Sequence, residues 1–154
     1  MPDVSFTVNG MPRRVDVDVR LLLVEALREI LGLVGPKIGC RTGDCGACTV
    51  RVDGHARKAC LVLAVAAEGT EITTLEGLAN GDELDPLQEA FCTEYAFQCG
   101  FCVSGMLFAA HELLASTPDP TDDEIKIALR GNLCRCTGYQ NIVSAVRKAA
   151  RNLA

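Results

Sequence analysis

The chain has 154 residues, 49% of them hydrophobic and 23% charged, and its 15 Lys and Arg against 20 Asp and Glu give a formal net charge of −5. That is chain enough for one ordinary domain or two small ones, and apolar content enough for a buried core, which excludes a disordered composition. No block of Lys or Arg marks a nucleic-acid footprint, the longest apolar runs, such as Leu61 to Ala67, are too short to span a bilayer, and Met1-Pro2-Asp3-Val4 lacks a charged and apolar signal segment, so a cytoplasmic protein is expected.

Val4, Phe6 and Val8 alternate with polar residues, the period of a half-buried strand. Asn9-Gly10 follows, a strong signal for a tight hairpin turn. Val15, Val17 and Val19 alternate with Asp16 and Asp18 and give the partner strand. From Arg20 to Leu31 the period changes: Leu22, Leu23, Ala26, Leu27, Ile30 and Leu31 recur at helical spacing, with Gly32 as the stop. A hairpin followed by a helix across it predicts a β-grasp sheet. After a Gly-rich loop, Gly35 to Cys48, the stretch Thr49 to Val52 reads as a strand, Asp53-Gly54 as a turn, and Arg57 to Cys60 as a short return strand. Leu61 to Ala67 fits strand or short helix, and Glu71 to Thr74 closes the sheet.

The composition shifts near residue 77. Gly77 to Asp85 reads as a linker, so that residues 1–77 and 78–154 are expected to form separate domains. Beyond it four helices are predicted. Asp85 caps the first, with Pro86 in its first turn and Gln88 reaching back. The second presents Val103, Met106, Leu107, Ala110, Leu113 and Leu114 on one face and stops before Pro118. The third opens on the capping-box pair Thr121 and Glu124 and ends at Gly131. The fourth carries Ile142, Val143, Val146, Ala149, Ala150 and Leu153. Four short amphipathic helices predict a small bundle. The fold class expected is α+β, an N-terminal β-grasp domain followed by a C-terminal four-helix bundle.

Nine cysteines are many for such a chain. An odd count without an export signal argues against a disulfide scaffold and for metal or cluster ligation. Cys40-x4-Cys45-x2-Cys48, followed by Cys60, matches the plant-type opening for a [2Fe–2S] cluster. Three thiolates must converge on two irons from one loop, and Gly39, Gly43 and Gly46 let the backbone wrap tightly. Backbone N–H groups there, with Lys37 and Arg41, can tune an anionic cluster. Zinc is the rival, but it favours two short Cys knuckles separated by an insert. Cys99-x2-Cys102 and Cys134-x-Cys136 offer four more thiols at helix junctions, where helix N-termini favour an anion. Zinc is the more serious rival at this second set taken alone.

Gly39 to Cys48, Gln98-Cys99-Gly100-Phe101-Cys102 and Gly131-Asn132-Leu133-Cys134-Arg135-Cys136-Thr137-Gly138-Tyr139 resemble the iron–sulfur subunit of the xanthine dehydrogenase/aldehyde oxidoreductase family of molybdenum hydroxylases. The resemblance runs from the first hairpin to Ala150. It implies a plant-ferredoxin-like domain and a helical domain with one [2Fe–2S] cluster each, on Cys40, Cys45, Cys48 and Cys60 and on Cys99, Cys102, Cys134 and Cys136. It further implies a large subunit holding a molybdopterin-type molybdenum cofactor near the second cluster, approached by Gln98 and Cys136. A medium subunit would hold FAD near the first cluster, in a heterotrimer or a dimer of heterotrimers. The family often has Thr-Pro after the second Cys of the Cys99 motif. Here Val103-Ser104 stands there, with Ser104 as the substitute helix cap.

The reading that follows is an electron-transfer subunit of a molybdenum-containing oxidoreductase, carrying electrons from molybdopterin to flavin, with no substrate site, nucleic acid or membrane span. The alternatives are a free-standing ferredoxin-like electron carrier and a redox-sensing or zinc-binding module. Of the remaining residues, Cys92 is expected as a buried apolar thiol, His55 as a solvated loop residue, and His111 as a structural or subunit-surface histidine. No G-x-G-x-x-G opens a helix after a strand, so no dinucleotide site is expected.

Overall fold

A computed structural model describes residues 1–153 of the chain. Five strands, β1 (Asp3–Val8), β2 (Met11–Asp16), β3 (Thr49–Val52), β4 (His55–Lys58) and β5 (Glu71–Thr73), form one mixed sheet in the order β2-β1-β5-β3-β4. β1 pairs antiparallel with β2 and parallel with β5; β3 pairs antiparallel with β4 and β5. Both hairpin turns take the expected form. Asn9-Gly10 and Asp53-Gly54 each have positive φ at both central residues, the twist that two-residue hairpins need. Val4, Phe6 and Val8 point inward to a core shared with Val50, Ile72, Leu23 and Leu27.

Three local expectations are corrected. β2 ends at Asp16, so Val17 and Val19 lie beyond the strand, the first buried and the second exposed. The helix starts later than Arg20: α1 (Leu23–Glu25) runs into a π-helical turn (Ala26–Ile30). Before it, the Ala64 N–H donates to the Leu21 carbonyl and the Leu23 N–H to the Val62 carbonyl, a bridge that sets an extended Leu22 opposite Leu63. β4 stops at Lys58, and Cys60 falls in a 3₁₀ turn (Ala59–Leu61), with a second at Ala64–Ala67 where strand and helix were both open.

The second half holds α2 (Pro86–Thr93), α3 (Val103–Ser116), α4 (Asp122–Ala128) and α5 (Gln140–Leu153). Asp85 caps α2 as expected, with Gln88 in the reciprocal bond and Pro86 at the first position. Thr121 and Glu124 do the same for α4. Leu87, Phe91, Met106, Leu107, Ile125 and Ile142, drawn from all four helices, share one apolar core. The architecture is therefore α+β, a five-stranded sheet beside a set of helices, each with its own core. Just before the stretch read as a linker, Leu75 packs on the helical core and Glu76 accepts from the Gly35 N–H at 2.6 Å; within it, Leu78 packs on the same core.

Candidate metal centres

The first cysteine loop leaves α1 and wraps back to β3. Gly43 and Gly46 adopt positive φ there, which permits turns that a side chain would strain. Cys40 is half-buried. Its sulfur accepts the backbone N–H of Thr42 and of Cys45, both at 3.4 Å. The Thr42 hydroxyl and these two N–H groups bring the thiol down to about 6. Cys48 and Cys60 are buried side by side at the sheet, and burial pushes Cys48 up to about 11. Cys45 lies close enough to Cys48 to repel its charge. The four cysteines of the first motif are thus neighbours in turn, Cys40 with Cys45, Cys45 with Cys48 and Cys48 with Cys60. Lys37 and Arg41 are engaged elsewhere: Arg41 pairs with Glu25 at 2.9 Å, and the Lys37 ammonium donates to the Val34 carbonyl.

The second set gathers at the ends of α3 and α5. Cys102 occupies the position before α3, where burial, reinforced by neighbouring Cys134, pushes its thiol up to about 12. Cys99 and Cys136 are exposed, and their sulfurs stand 3.5 Å apart. The Phe101 N–H lowers Cys99, while the Cys136 thiol is raised by its own bond to Cys99. Burial works against ionisation of Cys134, but bonds from Thr137 outweigh it and lower the thiol. Gln98 Nε2 donates to the Cys136 carbonyl at 3.1 Å.

This donor set fits a thiolate-ligated cluster. Two thiolates on one tetrahedral metal at about 2.3 Å stand roughly 3.8 Å apart, close to the Cys99–Cys136 spacing. Among the described residues no three His, Cys, Asp or Glu side chains close on one point as a cage for a single ion would. The thiols pair instead, Cys99 with Cys136 and Cys102 with Cys134, and pairs suit two irons with two ligands each.

Two expectations near the sites fail. Ser104 does not cap α3; it is fully buried and donates to the Thr49 carbonyl at 2.8 Å. Cys92 is exposed, because Leu87, Ala90 and Phe91 take the inward face of α2. His55 opens β4 and stands 3.7 Å from Glu112, exposed as expected. His111 pairs with Asp85 at 2.8 Å.

Residues of the motif over 131–139 to which sequence reasoning assigns no role of their own hold the second loop. The Cys134 N–H donates to the Tyr139 hydroxyl at 2.9 Å, that hydroxyl donates to the Asn132 carbonyl at 3.3 Å, and the Tyr139 N–H donates to the Thr137 hydroxyl at 3.2 Å. A hydroxyl-bearing pair flanking a glycine after a Cys-x-Cys was the available signal. The two loops also touch: the Leu133 N–H donates to the Cys45 carbonyl at 2.9 Å.

Two families match. One described as a 2Fe-2S iron-sulfur cluster binding domain covers residues 6–84, and one described as a [2Fe-2S] binding domain covers 74–147. The small subunit of nicotine 6-hydroxylase from Paenarthrobacter nicotinovorans is 51% identical over 96% of this chain and 88% of its own. The iron-sulfur-binding subunit of xanthine dehydrogenase from Escherichia coli O157:H7 is 49% identical over 93% of this chain and 91% of its own. In the crystal structure of quinoline 2-oxidoreductase from Pseudomonas putida 86, a chain of 48% identity superposes with a TM-score of 0.94, covering 97% of this chain and 94% of that one.

Proposed function

This chain belongs to the iron–sulfur (small) subunits of the xanthine dehydrogenase/aldehyde oxidoreductase family of molybdenum hydroxylases, and from that premise we propose that it passes electrons from a molybdopterin site on a large subunit to a flavin on a medium subunit. It is a subunit of an oxidoreductase and an electron-transfer protein. Cys40, Cys45, Cys48 and Cys60 hold one [2Fe–2S] cluster, and Cys99, Cys102, Cys134 and Cys136 hold the other. When bound, the clusters supply one-electron transfer. Residues 1–77 act as the β-grasp, plant-type ferredoxin-like domain and 78–154 as a four-helix bundle. The assembly is cytoplasmic, a heterotrimer or a dimer of heterotrimers.

The chain's own residues prepare both sites. Thr42 and the Cys45 N–H steady an ionised Cys40, and Thr137 steadies Cys134. Cys48, Cys60 and Cys102 are buried, which keeps water from their sulfurs; they give up protons on ligation. Gln98 holds the Cys136 carbonyl, so the two residues that would face the pterin are oriented together. Phe101 and Leu133 are 45% and 61% exposed beside them, an apolar rim suited to coverage by the large subunit.

One observation carries the reading: eight cysteines of two spacings gather into two groups whose loops touch through Leu133 and Cys45. A diffusing ferredoxin-like carrier has no use for the second group. The test is rapid mixing of the purified complex with substrate while cluster and flavin absorbance are followed separately. Cys45→Ser is expected to reduce the second site and stall before flavin; Cys102→Ser is expected to stall at the first step. Flavin reduction at the parent rate in a Cys45→Ser protein that has lost its site would refute the serial order.

A further inference from the structure

The two cysteine-bearing halves meet along a buried seam that is built from glycine. Gly105 lies in the first turn of α3 with ordinary helical backbone, so no turn demands glycine there, and glycine in a helix is unfavourable relative to alanine. The reason is close approach. A Cβ on Gly105 would overlap the Gly46 carbonyl oxygen and Asn132 Oδ1, and a Cβ on Gly46 would overlap Asn132 Oδ1 and the Gly131 carbonyl. Two of these obstacles are backbone, which has nowhere to swing. Asn132 is only 8% exposed, and its Oδ1 has no conventional hydrogen-bond donor. It faces the bare Cα atoms of both glycines, which supply weak C–H contacts in its place.

Hydrogen bonds fasten the seam on every side. Ser104 Oγ donates to the Thr49 carbonyl at 2.8 Å, the Leu133 N–H to the Cys45 carbonyl at 2.9 Å, and Lys58 Nζ to the Gly131 carbonyl at 2.6 Å. Thr49 follows Cys48, Ser104 lies two residues after Cys102, Leu133 precedes Cys134, and Lys58 lies two residues before Cys60. The fastenings therefore join one ligand loop to the other, with little intervening structure to flex.

We propose that Gly46, Gly105 and Asn132 are positioning residues that fix the separation and mutual orientation of the two cluster sites. The proposal rests on the two-cluster reading above. With the halves locked at the ligand loops, the sites keep one distance through turnover, and the seam is a junction and not a hinge.

Gly105→Ala tests it in the full chain purified with its iron. The readouts are iron and sulfide per chain, thermal unfolding, and the low-temperature magnetic interaction between the two signals of the fully reduced protein. That interaction falls steeply with separation. The variant is expected to keep its iron and sulfide, because every ligand is intact, while the mutual splitting weakens and Tm falls. Helix propensity alone would raise Tm. Parent splitting at full iron content, or a raised Tm, overturns the proposal. Ser104→Ala removes one fastening and adds no atom, so it decides the matter if Gly105→Ala does not fold: a smaller weakening at full iron content is expected, and unchanged splitting refutes the seam. A parent chain without two clusters would refute the underlying reading instead, and the direction of the Tm change in Gly105→Ala would still judge the packing.

Discussion

Replacing Cys45 with Ser puts a harder oxygen where a soft thiolate is needed, and iron–sulfur chemistry favours sulfur. Because the two cysteine groups belong to different cores, Cys45→Ser should lose about half of the bound iron by the stoichiometry of one cluster per site, with the spectrum of the Cys99 group retained. Cys102→Ser should show the reverse; loss of both signals in either variant would contradict independent sites. Asp85 is a second informative residue. Its partial burial would raise the carboxyl, but the bond to His111 and the N–H groups of Gln88 and Leu87 outweigh it and hold the group below the ordinary 3.8. A carboxyl lowered in the folded state binds fewer protons folded than unfolded. Its stabilisation is thus complete above the unfolded value and lost as pH falls through the folded one. Asp85→Ala should cost about 0.5–2 kcal/mol at neutral pH through the lost cap. In urea titrations the gap to the parent should narrow below pH 3.8; a gap independent of pH would exclude the His111 pair as its source.

Among the elements, α2 and α5 pack against each other, and Phe91 of α2 is only 1% exposed in the core they share. Phe91→Ala should cost about 3–5 kcal/mol of the helical half. Iron should be lost from the Cys99 group at a lower temperature than from the Cys40 group, as followed by absorbance during heating; simultaneous loss would mean that the two cores unfold as one. The caps of α2 and α4 and the hairpins at Asn9-Gly10 and Asp53-Gly54 were legible in the sequence because each is decided within four residues. The late start of α1 was not, since Leu22 satisfies helical spacing and only the flanking bonds from Ala64 to Leu21 and from Leu23 to Val62 hold it extended. Cys92 could have been placed correctly: one step past Phe91 turns it about 100° away from the face set by Leu87, Ala90 and Phe91. Ser104 could not, because its partner, Thr49, lies 55 residues away. The eight-cysteine pattern was plain in the sequence. The seam through Gly46, Gly105 and Asn132 was invisible there, because a glycine needed for close approach looks like any other.

At the scale of the molecule, two cores are joined at their metal-binding loops, and the loops reach the surface with apolar residues around them. Leu61, which follows Cys60 and lies against Gly43, is 61% exposed, and Phe97, Phe101 and Leu133, within two residues of Cys99, Cys102 and Cys134, are 40%, 45% and 61% exposed. Surface of this kind is a liability for a chain on its own. The isolated chain should aggregate on concentration and stay monodisperse when produced with the large and medium subunits proposed for it, which light scattering would read; equal behaviour in both forms would argue against covered faces. No helix among the described residues is long and apolar enough to cross a membrane. The claim on which all of this depends is that one chain holds two clusters of different surroundings. Iron and acid-labile sulfide counted per fully loaded chain, with electron paramagnetic resonance of the reduced protein, test it most directly. The account predicts about four irons and four sulfides in two separable signals; zinc in place of iron, or two irons giving a single signal, would contradict it.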